Sequence, residues 1–155
     1  MSTISGLPAH VLLVHFIVVL APLTAVLAIV CALWPAARQR LVWLVAALAA
    51  TCVILTPLTT EAGEWLEHHI DESPALEVHA ALGDTMIYVS VALLVAAALL
   101  VAVHVRDRRG RALNRTAAVV VSVLVVVAAI GTIAQVYRIG DSGARSAWGD
   151  ALSEK

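Results

Sequence analysis

Residues 116–137 read TAAVVVSVLVVVAAIGTIAQVY, 22 residues without one acidic or basic side chain. At about 1.5 Å rise per residue such a run makes a helix roughly 33 Å long, the thickness of the hydrocarbon layer of a bilayer. Three further stretches meet the same test, roughly His10–Trp34, Leu41–Thr60 and Gly83–His104, and there is no fifth. The sequence therefore predicts an all-α fold: a four-helix transmembrane bundle, a single membrane domain spanning residues 1–155, built from two antiparallel hairpins.

Composition agrees. The chain has 61% hydrophobic and 14% charged residues, more apolar side chain than one soluble domain of 155 residues could bury, and its mean hydropathy of +0.94 makes lipid the solvent. The net charge of −1 conceals a segregated pattern. Five arginines lie between Arg106 and Arg115, while seven carboxylates and no Lys or Arg lie between Glu61 and Asp84. The short arginine-bearing connections, Pro35–Arg40 and Val105–Arg115, belong in the cytoplasm by the positive-inside bias, which leaves the acidic 61–84 connection and both termini extracytoplasmic. Trp34 and Trp43 would then mark the inner interface, and Trp65 and Tyr137 the outer one. The N-terminus lacks a basic n-region, so the first apolar run reads as a span rather than a cleaved leader. Cys31 and Cys52 sit in apolar runs at different depths and read as packing residues. Pro22 and Pro57 each remove a backbone donor from a span.

The polar residues gather on one side. Counting about 20 residues outward from each inner boundary puts His15, Glu61 or Glu64, Asp84 and Arg138 at a common depth. His10, His68 or His69, His79 and Asp141 follow about a turn further out. Glu61, Glu64 and His68 recur at i, i+3 and i+7 on one face of the second helix, a face suited to a cation. Ser73-Pro74 predicts a fresh helix start ahead of His79. His10 and His15 are five residues apart, about 140° around a helix, so they cannot both face one point unless Pro8 loosens the first turn, and His15 is taken as the interior one. The two hairpins share a layout, with a His near the outer start and a Gly-plus-charge stretch near the outer end: Glu61-Ala-Gly-Glu64 in the first, Arg138-Ile-Gly-Asp141 in the second. Charges at helix ends also snorkel into headgroups, and a single His is commonly a structural residue, but a one-sided cluster drawn from four helices points to a site. The basic 106–115 segment is explained by topology and anionic lipid rather than by nucleic acid.

There is no CxxC, no haem-attachment motif, no HExxH, no phosphate-binding glycine loop and no Gly-x-Ser-x-Gly elbow. Whether the chain is an enzyme is left open by the sequence, which shows no covalent nucleophile.

Gly6-Leu7-Pro8-Ala9-His10-Val11-Leu12-Leu13-Val14-His15-Phe16, Glu61-Ala-Gly-Glu64, His79-Ala-Ala-Leu-Gly83-Asp84 and Tyr137-Arg138-Ile139-Gly140-Asp141-Ser142-Gly143-Ala144 together resemble the bacterial membrane proteins grouped as domain of unknown function 2231. The resemblance covers essentially the whole chain. It implies a multi-pass protein of the cell membrane whose recognisable residues lie in the outer layer. Family members often carry His-Ser-Gly-Ala in the last motif, where this chain has Asp141-Ser142-Gly143-Ala144.

Three functions compete. The first is a metal ion held at the outer mouth of the bundle by His15, Glu64 and His79, with Asp84 as a further ligand, in a redox role. Its haem variant, ranked second to a simple metal, uses His15 and His79 as axial ligands with Arg138 near a propionate. The next is an accessory or assembly subunit of a membrane complex, partnered by lipid and by another membrane protein, with a salt-bridged outer cap. Ion transport, the last, is disfavoured because Ile17–Leu33 and Ala92–Val103 carry no ionisable group for a relay.

Overall fold

The computed structural model describes residues 3–4, 7–67 and 73–153, with side chains described within 10–67 and 73–148. After a two-residue antiparallel ladder, β1 (Thr3–Ile4) with β2 (Leu7–Pro8), the chain is helical: α1 (Ala9–Leu33), α2 (Pro35–Glu67), α3 (Pro74–Asp84), α4 (Met86–Arg108) and α5 (Arg115–Ser153). α1, α2, α5 and the α3–α4 rod are each long and apolar enough to cross a membrane, so the protein is a multi-pass membrane protein.

The helices overrun the predicted spans. Pro35–Arg40 is not a loop but the first turns of α2, because a proline is well placed at the first helical position, where its missing N–H costs nothing. Trp34 alone separates α1 from α2. The second hairpin turns through Gly110, whose φ of +68° is the left-handed conformation that ends α4. Asn114 then starts α5, its side-chain oxygen accepting the Ala117 N–H at 2.8 Å. Arg38 and Asp107 join the two turns through an ion pair of 2.8 Å, defining an arginine end of the bundle.

α1 packs on α2 and α5, and α4 packs on the same two helices, so α1 and α4 lie on one diagonal of a four-helix square. Near the arginine end the contact is built from small side chains, Ala25, Ala28, Cys31, Ala49, Ala96, Ala97 and Ala129, around Val42, Val45, Leu93, Leu100 and Val125. In lipid, where apolar association has little hydrophobic drive, such residues let backbones approach closely. A second cluster, Ile17, Ala21, Cys52, Met86 and Val136, closes the bundle further toward the other end. Both cysteines are buried and unbridged, and Thr56 and Ser90 hydroxyls pair at 3.0 Å across α2 and α4. Pro22 and Pro57 lie inside unbroken helices.

α3 starts as the sequence predicts, with Ser73 accepting the Leu76 N–H at 3.2 Å and Pro74 in the first turn. The rod breaks at Thr85, where the Gln135 amide of α5 donates to the Leu82 carbonyl at 3.2 Å and to Thr85 Oγ1 at 2.6 Å. The Leu82 carbonyl also accepts from the Thr85 N–H and hydroxyl, so Gln135 ties α5 to the break.

Candidate bis-histidine site

Above the second core cluster is a cavity of about 130 Å³. Ile17, Met86, Val136 and Ile139 form its apolar floor, and His10 and His79 face it from α1 and α3. The imidazoles stand edge to face, with centroids 6.4 Å apart and planes at 84°.

Each ring is tied to the other helix of its own hairpin. His10 Nδ1 lies 2.9 Å from the Thr59 carbonyl of α2. A carbonyl can only accept, so Nδ1 carries the proton and Nε2 is the bare nitrogen in the neutral ring. His79 Nδ1 lies 3.1 Å from the Ser142 hydroxyl, which itself donates to the Ile139 carbonyl at 2.9 Å, and that carbonyl also interacts with the His79 ring. With its proton given to Ile139, the hydroxyl accepts from Nδ1, and the same tautomer follows. The His79 ring lies with its Cε1 edge against α5, so its Nε2 stays 3.6 Å from the place a Cβ on Gly143 would take.

Two glycines set how closely the rings lie. A Cβ on Gly63 would stand 3.0 Å from His10 Cε1 and Nδ1, and one on Gly143 would stand 2.9 Å from His79 Cε1. Both distances are inside van der Waals contact, so only glycine admits the imidazole at these positions. The hairpins correspond through Gly63 and Gly143, not through Gly63 and Gly140 as the charge pattern suggests. In each, the ring is linked to the carbonyl four residues before the glycine, directly to Thr59 before Gly63 and through the Ser142 hydroxyl to Ile139 before Gly143.

The predicted site residues divide. His79, Glu64 and Asp84 line the cavity, although both carboxylates are exposed. His15 does not line it: its ring is exposed, and Nδ1 bonds back to the Val11 carbonyl one turn earlier. His10 holds the interior place, sharing a face with Val14, Ile17 and Val18, which all line the cavity. Arg138 is exposed and points elsewhere, and Asp141 pairs within α5 to Arg145 at 3.0 Å rather than to Arg138. Glu61 is exposed, and His68 and His69 lie outside the described residues. Among the described residues no three histidine, cysteine or carboxylate side chains come together as a metal-holding group. The set His15, Glu64, His79 and Asp84 is therefore not assembled as four ligands. What the bundle assembles is the pair His10 and His79.

Residues 6–155 match the protein-family model described as Predicted membrane protein (DUF2231). The chain belongs to that family. Neither a curated protein nor a solved structure matches. The DUF2231 match takes in both histidines, both glycines and the carbonyl partners, so the site lies wholly inside the family domain. All four segments that first suggested the family carry a member of this arrangement: His10 in the first, Gly63 in the second, His79 in the third and Gly143 in the last.

Proposed function

We propose that this membrane protein holds a metal-centred cofactor between His10 and His79, in a redox role. One observation supports the reading above the others: two imidazoles on different helices, each held through its Nδ1 by the other helix of its own hairpin, stand 6.4 Å apart at one cavity. Metal-bound histidines are held in this way, since the Nδ1–H bond fixes the ring and raises the basicity of the ligating nitrogen. The apolar floor, with Ile17, Met86 and Val136, would restrain water around a bound metal and so shape its potential.

The accessory-subunit reading rests on a salt-bridged cap. Among the described residues the ion pair at the histidine end, Arg145–Asp141, lies within one helix, and the pair that joins two hairpins, Arg38–Asp107, lies at the opposite end. A cap of that kind has little support.

Elemental analysis of protein purified in detergent tests the proposal. Stoichiometric metal in the wild type and its loss from both His10→Ala and His79→Ala are expected, with His15→Ala unaffected. Wild-type metal content in both of the first two variants would refute it.

A further inference from the structure

We infer that a groove at the arginine end of the bundle binds an anionic phospholipid, with the lipid phosphate on Arg115 and one acyl chain along the first turns of α5. The groove holds about 620 Å³ and lies where the ends of α1 and α4 meet the start of α5. It is at the other end of the bundle from the histidine cavity, and the inference is independent of any cofactor there.

The long wall of the groove is one stripe of α5. Arg115, Val119, Val123 and Val127 follow at four-residue steps, so they share a side of the helix, and all four line the groove and are exposed. From Arg115 to Val127 the helix rises about 18 Å, close to the ~15 Å depth of hydrocarbon in one leaflet. The cation therefore stands at the headgroup end of an apolar strip as long as a leaflet is deep. Leu33 of α1 and Leu100 and Val103 of α4 form the rest of the apolar wall. The one hydroxyl in the lining, Ser122, donates to the Ala32 carbonyl at 3.1 Å, so no free hydroxyl is left below Arg115. A hydrocarbon chain satisfies such walls.

Charge selects the headgroup. The two turns at this end, residues 35–40 and 105–115, carry seven arginines against one carboxylate, Asp107. Asp107 is taken by Arg38 at 2.8 Å, and both line the groove, so that pair is neutral. Arg115 pairs with no carboxylate among the described residues. Its guanidinium presents a planar set of donors that matches a phosphate. The arginines around it add a field of one sign, which favours a lipid of net negative charge over a zwitterionic one. Trp34, the residue after Leu33, is 65% exposed and supplies the amphipathic ring that sits at headgroup level.

The experiment is native mass spectrometry of delipidated protein in detergent, titrated with dioleoyl phosphatidylglycerol or with dioleoyl phosphatidylcholine, which has the same chains. The first phosphatidylglycerol should bind at least about fivefold more tightly than phosphatidylcholine, and Arg115→Gln should remove about fivefold of that preference, the effect of one basic residue near anionic lipid. Arg111→Gln makes the same charge change off the groove wall and should lower the preference by less than about twofold, since a charge outside the groove acts through a screened field. Val123→Trp fills the apolar wall with every charge kept, and should weaken the first bound lipid of either kind. Arg115 and Val123 are both exposed, and a cation at the first position of a helix gains nothing from the helix dipole, so both variants should fold. Equal losses in the two arginine variants would mean a diffuse field in place of a site and overturn the inference. So would a wild type that does not distinguish the two lipids, or a Val123→Trp chain that binds them as the wild type does. A dimer in the same spectra, resistant to added lipid and broken by Val123→Trp, would give the groove to a second copy of the chain and likewise overturn it.

Discussion

Substitution of Gly143 by alanine tests the way His79 is held. The new Cβ would stand 2.9 Å from His79 Cε1, 3.2 Å from Nδ1 and 3.6 Å from Nε2. Carbon atoms in contact prefer about 3.5–4.0 Å, so the ring must withdraw by roughly 0.6–1 Å or α3 must separate from α5. Withdrawal would stretch the Nδ1–Ser142 contact from 3.1 Å beyond hydrogen-bonding range. That loss costs about 0.5–1.5 kcal/mol, and overpacking of a fitted contact costs about 1–3 kcal/mol. Because the ring can relieve the clash by giving up the bond, the two are alternatives rather than a sum, and a destabilisation of about 1–2 kcal/mol is expected. Gly140→Ala is the control, three residues earlier on the same helix, where a Cβ meets nothing within 4 Å. It should be neutral or stabilising by up to about 1 kcal/mol through helix propensity. Thermal unfolding of both variants in one detergent provides the measurement. If Gly143→Ala melts with or above Gly140→Ala, the glycine is not making room for His79 and the description of the site is at fault.

Gly63→Ala should destabilise in the same direction, since its Cβ would lie 3.0 Å from two atoms of His10, and paired melting curves with His10→Ala should show the penalty falling when the ring is removed. Replacing Cys31 and Cys52 together by Ala should leave cofactor content unchanged, because both thiols are packed in the core below the cavity; loss of bound metal or haem in the double variant would contradict this. Arg38→Gln should lower stability by no more than about 1 kcal/mol, as its partner Asp107 is 37% exposed and the pair is screened; a much larger loss would mean that the pair, not side-chain packing, joins the hairpins. On the arginine asymmetry, a cysteine placed at position 109 should be shielded from an impermeant thiol reagent in intact cells and one at position 75 should be labelled; labelling at 109 would reverse the orientation.

Much of the fold was legible because length and hydropathy are additive along the chain. Four long apolar runs need no knowledge of packing to be counted, and Ser73-Pro74 acts locally on its own backbone. The helix ends were less legible, since Pro35 and Asn114 start helices before the apolar runs begin. The site was half legible. His79 carried the signal of a helix start followed by a charged, glycine-containing turn, but the choice between His10 and His15 depended on the direction in which α1 faces. That direction is written in the small residues further along, Ala21, Ala25 and Ala28, all fully buried, with Ile17 before them. Stepping back seven residues from Ile17 reaches His10, whereas His15 falls on the side with Phe16 and Val19, both exposed. Depth alone, by which His15 was preferred, says nothing about facing.

The glycine correspondence was hidden for a different reason, which also explains why the rings meet. In an α-helix the carbonyl of residue n points along the axis toward residue n+4, so a donor approaching that carbonyl from outside passes over the side chain at n+4. Removing that side chain is the condition for an imidazole to reach the second lone pair of the oxygen. Thr59 with Gly63 meets this condition directly, and at Gly143 the same room lets His79 reach the Ser142 hydroxyl, which bonds the Ile139 carbonyl; the charged residues that flank the glycines take no part in these bonds. Aligning the hairpins by their charges therefore slips the register by three residues and selects Gly140, where a Cβ would meet nothing within 4 Å. Aligned by the glycine, each hairpin holds its histidine by Nδ1 against its own second helix, the first on a carbonyl and the second on a hydroxyl. As α1 and the α3–α4 rod occupy opposite corners of the square, two rings held alike are brought to face each other across its centre. A change at either glycine should consequently disturb its own ring first and the partner ring only through whatever lies between them. Double-mutant coupling between Gly63→Ala and Gly143→Ala should be small in apo-protein and substantial once a cofactor bridges His10 and His79, and equal coupling in both states would argue against a bridge.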